Sequence, residues 1–391
     1  MIQQIRRDFT LQATIAGLVV VLVGMTSGAA LIFQAARAYG LSADGASSWL
    51  GAICIGIALT TIPLTLKYRS PVVTAWSTAG AALIAAGAVD YSLGEAIGAF
   101  LVSAALVTLS GLTGGFEKVM SRIPVSIAAA LLAGVLLHFS LDSFNASKSQ
   151  PLLIGAMFLA YLLAKRFAAR YTMLIVLVFG TLLAWSLGLL KFGDIHFSWT
   201  QFVFSKPEFT LKATLGLALP LFVVTMVSQN LTGISVMRAN AFQTPASPIL
   251  TWTGLVNIVL APIGGFSVCL AAITAAIAVG PESHPDRSKR YIASLVSGVV
   301  YLLIGFVCGT VASIFAAFPS ELVLGILGLA LLTTIGNSLQ TALSDERNKE
   351  AAFITFAVTA SGVSLLGVSS AFWGVIAGGL TKVIFDFKTR S

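Results

Sequence analysis

Apolar runs of about 20 residues follow one another along the chain, separated by short polar or charged punctuation. A helix needs roughly 17–25 residues to cross a bilayer, so this pattern predicts about fourteen membrane segments. They cover 11–36, 46–66, 72–88, 94–113, 124–141, 150–165, 171–190, 213–237, 247–262, 266–280, 291–312, 320–342, 351–366 and 369–385. The apolar stretch after Arg6 and Arg7 is too long for a signal-peptide core, so the first segment is expected to be retained. The fold expected is an all-α polytopic membrane protein.

The second half slides over the first at an offset of roughly 193 to 203 residues. Met25, Ser27, Arg37 and Ala38 fall over Met226, Ser228, Arg238 and Ala239, Trp49 and Gly51 over Trp252 and Gly254, and Pro124 over Pro319. Seven segments is an odd number, so the second copy enters the membrane from the opposite side, and the design reads as a 7+7 inverted repeat of the kind transporters use. Repetition of Leu, Ala and Val by composition alone is the plainer alternative. The Arg37/Arg238 pair speaks against it, because inversion sends the two to opposite faces. The boundaries are 1–190 for the first repeat, 191–212 for an extracytoplasmic connection and 213–391 for the second repeat.

Segments 3 and 10 differ from ordinary spans. Pro71, followed by Val72, Val73 and Thr74, favours extended chain before a small-residue helix, and Gly264-Gly265-Phe266-Ser267-Val268 repeats that logic. Extended backbone at membrane depth persists only if buried in protein or lining a cavity. Half-helices starting near Ser77 to Gly80 and Ala271 to Thr274 would turn free N–H groups and positive dipole ends towards one place, which suits an anion. The plainer reading is that Pro71 caps a helix and the glycine pair makes a turn.

Composition agrees with a lipid environment: 57% hydrophobic, 10% charged and a mean hydropathy of +0.95 exclude a soluble enzyme or nucleic-acid binder. The net charge of +8 needs no acidic partner. Eighteen of the 23 Lys and Arg fall on the N-terminal side of the predicted topology, leaving Arg37, Lys148, Lys191, Lys206 and Lys212 opposite. Cytoplasmic loops collect such charge, so both termini are expected in the cytoplasm. Cys54, Cys269 and Cys308 lie inside apolar segments and read as buried small hydrophobes rather than a disulfide framework.

All 15 carboxylates fall at or near segment ends, as a cavity for an anion would require. Within the segments lie neutral hydrogen-bonding groups: Thr26 and Ser27 in the first, Ser228, Gln229, Asn230 and Thr232 in the eighth, Thr333, Thr334, Asn337 and Gln340 in the twelfth. Adjacent buried carboxamides are costly without partners, so Gln229 and Asn230 either line a wet site or stitch helices together. Asn257 reads as an interhelical hydrogen bond. His138, the only histidine within a segment, is a candidate proton carrier or a packed, hydrogen-bonded residue. Trp76, just before the first half-helix, is the foremost candidate to clasp a ring. The chain carries no HExxH or Gly-x-Ser-x-Gly motif and no acid/base cluster at mid-depth, so no enzyme, metal or cofactor is expected.

The run Tyr68-Arg69-Ser70-Pro71-Val72-Val73-Thr74-Ala75-Trp76-Ser77-Thr78-Ala79-Gly80-Ala81-Ala82-Leu83 resembles the third-segment signature of bacterial benzoate:proton symporters, and the similarity runs the full length. That family is similar in fold to uracil permeases and anion exchangers, with paired short strands in segments 3 and 10. The resemblance implies a core of segments 1–4 and 8–11, a gate of segments 5–7 and 12–14, and uptake of benzoate or a similar aromatic carboxylate with a proton across the bacterial inner membrane. It leaves a homodimer open and involves no nucleic acid. Candidate substrate contacts are Thr26, Ser27, Trp76, Ser77, Thr78, Gln229, Asn230, Ile273, Thr274, Thr334 and Asn337. The family pattern commonly has Pro where this chain has Ala79, and nucleobase relatives place acids where Gln229 and the Ala271 to Thr274 stretch stand. The second difference disfavours a nucleobase. Another anion on the same fold (sulfate, bicarbonate or a dicarboxylate) is the main rival, and a channel is a further one.

Overall fold

The computed structural model describes residues 7–114, 124–190, 197–271, 273–280, 283–363, 365 and 370–388. The side chains of Thr26, Ser27, His138 and Ile273 lie outside what it describes. The first half comprises α1 Leu11–Ala38, α2 Ala43–Tyr68, β1 Thr74–Trp76, α3 Thr78–Gly87, α4 Leu93–Leu112, α5 Val125–Asn145, α6 Pro151–Phe167 and α7 Thr172–Ser186. The second comprises α8 Leu211–Arg238, α9 Ala246–Leu260, β2 Val268–Leu270, α10 Ile273–Val279, α11 Tyr291–Phe306, α12 Cys308–Ala317, α13 Ser320–Leu343, α14 Lys349–Ala360 and α15 Ser370–Lys388. Each predicted segment corresponds to a helix or a strand–helix pair. The eleventh alone divides, at Val307, into α11 and the short α12. Among the described residues, eight helical stretches are long and apolar enough to cross a membrane, and α3 and α10 are half-helices of 10 and 7 residues.

Local chemistry sets the ends. Thr10, Ser42 and Ser77 each accept a first-turn N–H to start α1, α2 and α3, and Ser92 with Glu95 forms a reciprocal capping box at α4. Pro63 inside α2 has no N–H to give the Leu59 carbonyl, and the Trp252 indole of α9 donates to that carbonyl instead, at 2.8 Å.

The two halves exchange under an approximate two-fold axis. β1 and β2 pair antiparallel, with Thr74 opposite Leu270, Ala75 opposite Cys269 and Trp76 opposite Val268. Beyond that ladder, Ser77 N–H donates to Ser267 C=O at 3.0 Å and Ala271 N–H to Val73 C=O at 2.9 Å, two bonds that interchange when the halves do. Helix packing follows the same rule. The α4–α9 pair is matched by α2–α11 and the α6–α7 pair by α14–α15, while α5 and α13, equivalent members of the two halves, pack on each other. This is the 7+7 inverted repeat.

The connection between the halves is a strap rather than a loose loop. Along 197–210 the N–H of Thr200 bonds Phe306 C=O, that of Val203 bonds Ser48 Oγ, that of Ser205 bonds Pro262 C=O and that of Glu208 bonds Gly94 C=O. It thereby visits α11, α2, the turn after α9 and the residue just inside α4. A Cβ at Gly98 would overlap the Glu208 carbonyl, so glycine there is what admits the strap.

Candidate functional site

Extended chain at the centre of an apolar bundle leaves backbone groups to be satisfied, and the neighbouring helices supply polar side chains to do so. On β1, Thr74 N–H donates to Thr61 Oγ1 at 3.1 Å, and the Thr74 hydroxyl meets Thr60 and Thr61 at 2.6 and 2.7 Å. On β2, the Asn257 amide donates to Val268 C=O and its oxygen accepts Val268 N–H, both at 2.8 Å. The Asn230 oxygen accepts Leu270 N–H at 3.0 Å while its amide donates to Met226 Sδ at 3.3 Å. Asn257, expected to join helices, therefore holds a strand. Asn230 is fully buried, with its oxygen turned to β2. The threonine set 60, 61 and 74 was not singled out from sequence, although two adjacent hydroxyls in an apolar span are its signature.

Ser77 caps α3, with its Oγ accepting Gly80 N–H at 2.9 Å. Thr78 is half-buried in the first turn of α3, and Thr274 is buried in the first turn of α10. The starts of α3 and α10 leave opposite ends of the ribbon. Ser77 and Ala271 are four ladder positions apart, roughly 13 Å. The two positive helix ends thus face the ribbon layer from opposite sides rather than sharing one contact point. Trp76 is 4% exposed, packed edge-on to Tyr301 at 6.0 Å and so close to α1 that Gly28 has no room for a Cβ.

Helix α8 is not a plain α-helix. Residues 214–218 and 225–231 form π-turns, a widening that recurs at functional sites. In the second π-turn Asn230 faces β2, while Ser228 and Gln229 line a cavity of about 240 Å3. Its other walls are Val125, Ala128, Ala129 and Leu132 of α5 and Thr334, Asn337, Ser338 and Thr341 of α13. Two groups proposed from sequence, on different helices of the second half, meet there: Gln229 of α8 with Thr334 and Asn337 of α13. Among the described residues, none of the lining side chains is acidic.

A second cavity, of about 460 Å3, lies on another side of α13 and shares Thr334 and Asn337 with the first. It is bounded by Leu22 and Val23 of α1, Ile277 of α10, Tyr161 and Lys165 of α6 and the first turn of α7. Lys165, first read only as topology-setting charge, projects into it. Both cavities lie towards the end of the bundle that carries Lys67, Lys165, Arg166, Arg238, Arg287 and Lys289.

Several known proteins share this architecture. The transmembrane domain of a cyanobacterium bicarbonate transporter, BicA, superposes with a TM-score of 0.57 over 96% of each chain at 14% identity. The overall structure of SLC26A9 gives 0.60 over 95% of this chain and 65% of that one at 13% identity. These likenesses concern the fold. In sequence, the chain is 44% identical over 372 residues to the inner membrane protein YdcO of Escherichia coli strain K12, covering 95% of both. It is 38% identical over 384 residues to a benzoate membrane transport protein of Acinetobacter baylyi, covering 98% of both. The benzoate membrane transport protein model matches residues 7–384, and on that near-complete match the chain belongs to the benzoate membrane transport protein family.

Proposed function

We propose that this membrane transporter carries benzoate or a similar aromatic monocarboxylate inward with a proton, by alternating access. The observation that carries the reading is the 240 Å3 cavity, where Ser228 and Gln229 of α8 face Thr334 and Asn337 of α13 across apolar side chains of α5. Neutral donors on two walls of a pocket whose third wall is apolar suit a carboxylate attached to a ring: the amides bond the oxygens, and Ala128, Ala129 and Leu132 accept the ring. The positive ends of α3 and α10 add favourable potential at the ribbon layer. Sulfate or bicarbonate would leave that apolar wall unused, which favours the aromatic acid among anions.

The moving parts in this reading are a core of α1–α4 with α8–α12 and a gate of α5–α7 with α13–α15. The strap supports the division, since the bonds that hold it run to core elements. Asn230, Asn257 and Trp76 then keep the core rigid, while Gln229 and Asn337 meet the substrate from opposite bodies. Lys and Arg gathered at the cavity end support a cytoplasmic position for that end, and for both termini, in a bacterial inner membrane. His138 on α5 is the candidate for the coupled proton. A homodimer is compatible with this arrangement.

The test is saturable uptake in vesicles by variants. Gln229→Ala and Asn337→Ala are expected to raise the benzoate KM about tenfold each, the worth of one lost hydrogen bond to a charged group, with the protein still inserted. An unchanged KM in both variants would remove this cavity as the binding site.

A further inference from the structure

Lys165 stands in the last turn of α6, where a lysine usually extends its stem towards water. Lys165 stays exposed, but its head group bends back against α6 and α13. Its Nζ donates to Tyr161 Oη at 3.1 Å and to Thr333 Oγ1 on α13 at 3.0 Å, and lies 5.4 Å from the Tyr161 ring centroid. Two of the three ammonium donors are thereby fixed by neutral hydroxyls, which aims the charge without neutralising it. The 460 Å3 cavity around it has aliphatic walls from α1, α7 and α10, two tyrosines and, among the described residues, no acidic side chain. A fixed cation, aromatic rings and an apolar wall are together what an aromatic carboxylate needs. This cavity also reaches Thr334 and Asn337, the residues it shares with the cavity of Gln229.

We infer that Lys165 forms a second anion subsite, which receives the aromatic carboxylate on the basic-end side after it leaves Gln229 and Asn337. The inference rests on the aromatic-acid reading above. A charged donor strengthens the bond to a carboxylate relative to a neutral amide, so the substrate is drawn past α13 towards this face. Because Lys165 bridges two gate helices, α6 and α13, its charge stays with the gate, while the cavity walls from α1 and α10 move with the core.

Sided kinetics test this. Benzoate transport is measured in right-side-out and inside-out membrane vesicles carrying the wild type, Lys165→Gln and Lys165→Arg. Lys165→Gln is expected to raise the KM about tenfold in inside-out vesicles, where substrate enters from the basic end, and to change it less than about twofold in right-side-out vesicles. Lys165→Arg, which keeps the charge, should restore most of the inside-out affinity. A loss of maximal rate alone, or equal KM changes on both faces or on neither, overturns the subsite while leaving the transport reading intact. A wild type that moves no aromatic carboxylate in either orientation overturns the functional reading and the subsite with it.

Discussion

Val268 has both of its backbone groups bonded by a single side chain, Asn257, and the next strand residue but one, Leu270, depends on Asn230. Replacing Asn257 by Ala leaves a buried N–H and C=O unpaired, a cost of about 1–3 kcal/mol for each group. A lower Tm in detergent and loss of uptake are expected together. Gln229→Ala should instead spare Tm while raising KM, and the pair of measurements separates the two roles. Trp76→Ala belongs with Asn257: the indole fills the space against Gly28 and Tyr301, so its removal is expected to lower Tm by several degrees with less effect on benzoate KM. From the chain alone, Gln229 and Asn230 look equivalent, both carboxamides within one apolar segment. Neighbouring helical positions point roughly 100° apart, and which of the two meets β2 depends on a strand some forty residues away. The residue types were legible, but their division between strand and cavity was not.

Among elements, the segments that sequence marked as broken are those that become strand plus half-helix, because Pro71 with β-branched neighbours and Gly264-Gly265 leave visible local signatures. The second π-turn of α8 left none: residues 225–231 contain neither Pro nor Gly, and this widened turn packs against α5 and β2. The strap was equally hidden, since its bonds join residues far apart in sequence, such as Thr200 to Phe306. Its aromatic residues Phe197, Trp199, Phe204 and Phe209 are exposed and suit a membrane–water boundary. Gly98→Ala would force the strap off the start of α4. A lower Tm with an unchanged benzoate KM is expected, since the strap lies at the opposite end from the cavities.

For the whole molecule, the inverted repeat offers a reason for alternating access. Two copies of one design inserted in opposite senses can exchange conformations, so a cavity open at the basic end has a counterpart open at the other. Linking the two bodies should therefore stop turnover. With cysteines introduced at Ser228 on α8 and Ser338 on α13, a short bifunctional thiol reagent is expected to abolish transport, whereas the same double variant left untreated should retain it. The native Cys54, Cys269 and Cys308 are buried and should not interfere. The most direct measurement is uptake of radiolabelled benzoate into liposomes containing the purified protein, with and without an inward proton gradient. Saturable accumulation above the external concentration, driven by the gradient and lost when it is collapsed, is expected of a proton-coupled aromatic-acid carrier. Equilibration without accumulation, or no benzoate uptake at all, would contradict it.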